Sequence, residues 1–439
     1  MKDKLLENFN GFGLAAPLVT ALTQMGYAKP TPIQAQAIPI LMTGRDLVGI
    51  AQTGTGKTAA FALPILNRLI ADKKPAPRGG ARVLVLSPTR ELASQIAQSF
   101  RDLSAGLSLE IAVVFGGVPH GAQIRALARG LDVLVATPGR LVDHLDARVA
   151  NLGAVEFFVL DEVDRMLDLG FIRPIRRVVR ELPRKRQNLF FSATMPPDIR
   201  KLAGELLHNP AEVSVTPAAT TVELVEQKVF HVDAARKRDM LVELFADPKL
   251  TRTIVFTRTK HGADRVAKGL DEAGISALAI HGNKSQGQRE RALAAFRSGQ
   301  ARALVATDIA ARGIDIDDVS HVVNFELPDV AEAYVHRIGR TARAGKGGQA
   351  ISLCDASERD SLRAIERLTR LRIFSLDRRG DKGPKPAPVV RKAETTPAID
   401  RPHHAPHRDP RSANQQPHRV RQGRRTRPAY QGAVANKAR

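Results

Sequence analysis

The fold is read from DLVGIAQTGTGKTAAFALPIL, residues 46–66. A short run of Leu, Val and Ile enters a loop of Gln, Thr and Gly, which opens into an amphipathic stretch suited to a helix. Strand, glycine-bearing loop and helix in that order make a phosphate cradle. Gly54 and Gly56 let backbone N–H groups approach a β-phosphate, Lys57 meets the β/γ oxygens, and Thr58 is placed to ligate Mg²⁺, with Thr53 and Thr55 in the same loop. The general pattern begins with Gly; here Ala51 takes that place.

Working outward, short runs rich in Val, Ile and Leu recur, each followed by a helix-like stretch, which predicts α/β domains with parallel sheets and crossover helices. The candidate strands of the first half are DLVGIA, RVLVLSP, IAVVFGG, DVLVATP, FFVLDE and NLFFSAT; those of the second are RTIVFTRT, ALAIHG, RALVATD, HVVNFELP and QAISLC. NPAEVSVTPAATT, residues 209–221, interrupts the series with two prolines. The organisation expected is therefore a first domain over 1–208, a linker over 209–221, a second domain over 222–376 and a tail over 377–439. Segment 355–376 reads as a helix closing the second domain. No residue-level repeat links the halves. In such sheets ligands sit beyond the carboxyl ends of the strands.

One strand end stands out. FFVLDEVD, residues 157–164, runs from apolar residues into Asp161, Glu162 and Asp164. Crowded carboxylates repel, and a divalent cation held by bound phosphates relieves that repulsion. In nucleotide hydrolases built on this plan the strand-end acid holds Mg²⁺ and its neighbour orients and deprotonates the attacking water. Asp161 takes the metal role in this reading and Glu162 the water role.

At 439 residues the chain exceeds what one core supports, so two domains are expected. No run of 18 apolar residues and no signal-like N-terminus appears, and Cys354 is the single cysteine, so a reducing, cytoplasmic setting is expected. The net charge is +22, and residues 377–439 supply +11 of it, from 16 Lys/Arg against 5 Asp/Glu among nine prolines. That composition predicts a disordered basic tail that binds polyanions through salt-sensitive phosphate contacts.

Taken together, residues 9 to 354 resemble a DEAD-box RNA helicase, a family of two tandem RecA-like domains. GYAKPTPIQ, residues 26–34, is similar to the family's adenine-reading element, which implies base contacts for Gln34, Tyr27 and the upstream Phe9. PTRELA (88–93), Gly116-Gly117 and TPGR (137–140) resemble segments that grip the RNA backbone, implying roles for Arg90, Gly117, Thr137 and Arg140. SAT (192–194) resembles the segment that couples hydrolysis to duplex opening, implying Ser192 and Thr194 with Asp164. IVFTRT (254–259) with Arg258, Gln286 with Arg289, and ATDIAARGIDI (306–316) with Thr307 and Gly313 match further RNA elements, and Asp315 matches the ribose contact. HRIGRTAR (336–343) supplies His336 and the expected arginine fingers Arg340 and Arg343. ATP, Mg²⁺ and single-stranded or short duplex RNA follow as ligands. Ribosomal or RNA-decay assemblies are the partner class implied, with no membrane role.

HGNKSQGQR, VLDEVDRMLDLGF and YVHRIGRTARAG with the basic tail look most like RhlE-type bacterial members. Val163 stands where the family carries Ala, and Ala342 where many members carry Gly; neither removes a ligand. The activity implied is RNA-stimulated ATP hydrolysis that unwinds short duplexes locally or remodels RNA–protein complexes. Two other classes share parts of the pattern: a DNA-translocating ATPase uses the same phosphate site, and an RNA chaperone needs only the tail.

Overall fold

The computed structural model describes residues 8–215, 225–311, 319–341 and 348–381. The first half builds a parallel sheet from β1 (Leu47–Ile50), β2 (Ala81–Leu86), β3 (Ile111–Val114), β4 (Leu131–Ala136), β5 (Phe157–Leu160), β6 (Gln187–Ser192) and β7 (Ala211–Ser214). The second builds another from β8 (Val225–His231), β9 (Thr253–Thr257), β10 (Ala277–Ile280), β11 (Ala303–Thr307), β12 (His321–Asn324), β13 (Gly348–Cys354) and β14 (Phe374–Asp377). Their orders, β3-β4-β2-β5-β6-β1-β7 and β10-β11-β9-β12-β13-β8-β14, are the same pattern shifted by seven strands. This is a duplication of topology that the residues themselves do not display. The two tandem RecA-like domains expected from the sequence are present, and both sheets lie in one compact unit.

Each sheet is covered on both faces, which is why its strands read as continuous apolar runs rather than alternating ones. β2 shows the division: Val83 and Val85 join one core with Phe61, Phe100 and Phe191, while Leu84 and Leu86 join the other with Phe158, Phe190 and Val163. Val163 is fully buried there. Among the described residues no helix is long and apolar enough to cross a membrane.

All eleven strands expected from the sequence form. Three more appear where it gave weak signals. Residues 209–221 were expected as a linker, yet Ala211–Ser214 pair with β1 as the edge strand β7; only Val213 is buried, so the strand lacks an apolar run. β8 begins just past the prolines and mixes Glu, Gln and Lys with Val and Phe. The closing segment is split: Leu362 and Ile365 of the helix Arg359–Thr369 pack into the core as expected, but the chain then turns and Phe374–Asp377 add to the sheet as β14. The tail reading, from residue 382 onward, lies outside the described residues, as do Gly313, Asp315, Ala342 and Arg343.

β1 delivers the phosphate loop, and its position depends on Gly49. A Cβ there would lie 2.5 Å from Cδ1 and Cε1 of Phe191 on β6. Gly49→Ala is therefore expected to lower stability by roughly 1 to 3 kcal/mol through overpacking. Thermal and urea denaturation check this; an unchanged midpoint would show that Phe191 yields freely.

Candidate active site and nucleic-acid interface

The phosphate loop lies between β1 and the helix Lys57–Ala71. Gly54 and Gly56 have φ of 83° and 90°, left-handed values that favour glycine. A Cβ on Gly56 would also meet the Gln34 amide nitrogen at 2.5 Å. Gln34 is buried; its Nε2 donates to the Gly56 carbonyl at 3.1 Å, and its Oε1 accepts from Thr31 N at 2.9 Å. The expected adenine reader thus ties the helix Pro32–Met42 to the phosphate loop. Phe9 is buried against Phe12 and meets the more exposed Tyr27 edge to face at 6.2 Å. Lys57 is buried at the helix start and donates to the Ala51 carbonyl at 2.7 Å.

Beyond β5 the acidic cluster is held in a strained turn. Glu162 has φ of 55°, a left-handed value costly for a side-chain-bearing residue. Its two oxygens are engaged: Oε1 accepts from Thr53 Oγ1 at 2.8 Å, and Oε2 accepts from Arg165 Nη1 at 2.9 Å. Burial pushes the Glu162 carboxyl up, but the charges of Arg165 and Lys57, the Thr53 bond and the charge of Arg340 outweigh it and hold it below the usual carboxylate range. Asp161 is equally buried and has no arginine of its own. Burial raises it to about 6, against the pull of Lys57 and with a further push from Glu162.

Asp164 faces the end of β6. Its Oδ2 accepts from Ala193 N, Thr194 N and Thr194 Oγ1 at 3.2, 3.1 and 3.2 Å, and its backbone N–H donates to Ser192 Oγ at 3.3 Å. The coupling residues expected from the sequence therefore form one hydrogen-bonded unit.

Backbone-gripping candidates from both halves, Arg90, Thr137, Arg140 and Arg289, line a single cleft of about 370 Å³, joined there by Lys284, which sequence reading had not singled out. Gly117 lies under the Arg90 guanidinium, where a Cβ would sit 2.2 Å from Nη1. Arg140 Nη1 donates to the Val118 carbonyl at 3.0 Å and to Gln123 Oε1 at 3.3 Å. Across the cleft Arg289 Nε donates to Glu91 Oε1 at 2.7 Å, a buried ion pair joining the two domains. Gln286 begins the helix that carries Arg289 and bonds Glu290, and Thr307 ends β11. Arg258 is braced by the Leu327 carbonyl at 2.6 Å and by Glu358 at 3.3 Å.

His336 and Arg340 lie beside Arg337 and Asp308. Arg337, which sequence reading passed over, is fully buried: it forks onto Asp308 at 2.6 and 2.8 Å and its guanidinium lies 5.0 Å from the Phe256 ring centroid. Its backbone carbonyl accepts from Arg340 N at 3.1 Å. Arg165 and Glu91 were also missed. Arg165 had a signal, since a basic residue three positions past an acid on a helix faces it; Glu91 had none, its partner being 198 residues away.

A DEAD/DEAH box helicase model matches residues 31–202, and a helicase conserved C-terminal domain model matches 236–345. RNA helicase CrhR of Synechocystis is 44% identical over 370 residues, covering 83% of this chain and 73% of that protein. The chain belongs to the DEAD-box family of RNA helicases. ATP-dependent RNA helicase DeaD of Mycobacterium tuberculosis is 45% identical over 355 residues, 80% of this chain, and the helicase spans 62% of that relative's length. Among solved structures, S. cerevisiae Dbp5 bound to RNA and ADP BeF3 superposes with a TM-score of 0.73 at 32% identity, covering 85% of this chain and 96% of that one. The helicase is an RNA-dependent ATPase by family.

The raised Asp161 carboxyl has a measurable sign. Its folded-state value of about 6 exceeds the ordinary 3.8, so the cost of burying its charge is absent below about pH 4 and fully present above about pH 6. With chelator and no nucleotide, Asp161→Asn is expected to stabilise the helicase at neutral pH by up to about 3 kcal/mol, an advantage that disappears near pH 4. Urea melts at the two pH values check this; a less stable Asn variant at neutral pH would show that Lys57 already compensates the charge.

Proposed function

We propose that the helicase binds ATP on residues 53–58, with Mg²⁺ held by Thr58 and, through water, Asp161, and uses the hydrolytic cycle to open short RNA duplexes or remodel RNA–protein complexes. The donor set suits a hard divalent cation: Thr58 is the second residue of the helix Lys57–Ala71, and Asp161 is a buried carboxylate without a full counter-charge. No cluster of three or more metal-binding side chains occurs among the described residues, which favours a metal shared with phosphates over a protein cage. When bound there, Mg²⁺ would neutralise charge on the phosphate oxygens.

The protein's own groups carry the rest. Lys57 releases the Ala51 carbonyl to meet phosphate oxygens. Glu162, kept ionised by Arg165 and Thr53, accepts a hydrogen bond from the attacking water and orients it; its depressed pKa favours orientation over early proton removal. Arg340 and Arg343 complete the charge from the second domain, with His336 beside Arg340 and Asp315 at the ribose. RNA phosphates and sugars contact Arg90, Gly117, Thr137 and Arg140 of the first domain and Arg289 of the second, with Arg258, Gln286, Thr307 and Gly313 as further contacts by resemblance to the family. Backbone contacts without base readout suit a substrate defined by class rather than sequence.

One observation carries this reading: residues of both domains share the cleft, and the Glu91–Arg289 pair bridges it, which ties RNA binding to domain closure. Phrases such as HGNKSQGQR and the basic tail favour an RhlE-type member acting in the cytoplasm, with ribosomal or RNA-decay assemblies as the partner class.

Glu162→Gln keeps the size and the Thr53 contact but removes the charge. It is expected to lower RNA-stimulated kcat by about two to four orders of magnitude while ATP-dependent RNA binding persists. Full turnover in this variant would remove Glu162 from the water role. Residues 382–439 carry 14 Lys/Arg against 3 acids. Ending the chain at Asp381 is expected to weaken RNA binding and flatten its dependence on log salt while sparing basal hydrolysis; an unchanged slope would assign the tail to another partner.

A further inference from the structure

Four of the ten exposed large apolar side chains among the described residues fall within nine positions: Leu368, Leu371, Phe374 and Leu376, with Phe374 61% exposed. They span the end of the helix Arg359–Thr369, the left-handed Arg370 at φ 55°, and β14. β14 pairs with β8 on one side only and forms the edge of the second sheet, all four of its residues being exposed. An open cavity of about 780 Å³ beside it is lined by Arg363, Arg367, Arg370 and Arg372 with Asp360 and Glu366. Arg363 pairs with Asp360 at 3.0 Å, and Glu366 Oε1 accepts from Ile373 N at 3.0 Å. Arg367, Arg370 and Arg372 make no ion pair among the described residues.

None of these residues belongs to the site above. β10, which leads to Lys284 and Arg289, is the opposite edge of the same sheet, and six strand spacings of about 4.8 Å put it roughly 29 Å away. Natural sheets blunt exposed edges with charge or cover; an apolar edge flanked by uncommitted arginines is built to be paired.

We propose that this face docks an extended acidic segment of a partner protein, rich in alternating apolar residues, which adds as a strand to β14 and places its carboxylates on Arg367, Arg370 and Arg372. Charge excludes the nearer occupants. Residues 382–439 carry a net +11, and a second copy of a chain of +22 is repelled. RNA phosphates would satisfy the arginines but leave Leu368, Leu371, Phe374 and Leu376 uncovered and the strand edge unpaired. A peptide strand satisfies all three features together.

The test is fluorescence anisotropy with full-length helicase and a labelled synthetic peptide of alternating Glu and Val at physiological salt. Its controls are a Glu/Gly peptide, an N-methylated Glu/Val peptide that cannot pair as a strand, and a short RNA duplex. Two exposed-surface variants, Arg367→Glu with Arg372→Glu and Phe374→Ser with Leu376→Ser, are compared after their melting curves and RNA-stimulated ATPase are shown to match the parent. Expected are saturable binding of the Glu/Val peptide, affinity lower by about tenfold or more for both control peptides, and a similar loss in both variants. Equal peptide binding by parent and variants overturns the proposal. Duplex RNA affinity falling in the variants while peptide affinity holds assigns the face to RNA, and loss of self-association in sedimentation with peptide affinity unchanged assigns it to a second copy; each overturns it.

Discussion

Two buried carboxylates at the end of β5 set the terms for the rest of the molecule. Asp161 and Glu162 are adjacent and almost wholly out of water, an arrangement that costs several kcal/mol unless charge is supplied. The protein supplies it unequally. Glu162 receives Arg165 within its own turn, Thr53 from the phosphate loop and the field of Arg340 from the second domain. Asp161 receives the shared charge of Lys57 and one hydrogen bond from the Glu162 backbone N–H, and is left raised. Two like groups in one turn are thereby pushed apart in protonation behaviour, the usual way one site obtains two chemical roles.

The second domain adds to the same inequality. The first domain carries the phosphate loop, the acids and one wall of the cleft, and it supplies Arg165 to Glu162; Arg340 of the second domain adds a further positive charge. The second sheet repeats the strand order of the first and delivers different side chains from the equivalent strand ends: Arg258 after β9, Lys284 after β10, Thr307 closing β11. Buried supports hold these groups in place. Arg337 braces Asp308 and Asn324, while Lys237 and Arg258 share Glu358. Glu91 and Arg289 tie the two sets together. In the proposed reading, closing one cleft completes both the hydrolytic site and the RNA grip.

How much of this the sequence discloses depends on the range of each interaction. The phosphate loop, the acidic strand end and the central strands were legible because local composition dictates them: glycines at positive φ, apolar runs covered on both faces, and acids just past a strand. The edge strands β7 and β14 were not, since an edge needs little apolar content and Ala211–Ser214 and Phe374–Asp377 owe their state to the neighbours they pair with. The candidate side chains could be named from their motifs, but their partners were hidden. Gln34 bonding Gly56, Thr53 bonding Glu162 and Glu91 meeting Arg289 join residues 22, 109 and 198 positions apart, which no local pattern encodes. Val163 fits without special provision, as one more buried aliphatic residue in the core behind β5.

The account stands or falls on coupling between the cleft and the acids. Its most direct test is steady-state ATP hydrolysis by the full chain with Mg²⁺, measured without nucleic acid, with single-stranded RNA and with single-stranded DNA at matched salt. The account predicts strong stimulation by RNA and little by DNA. Equal stimulation by DNA, or none by either, would contradict it.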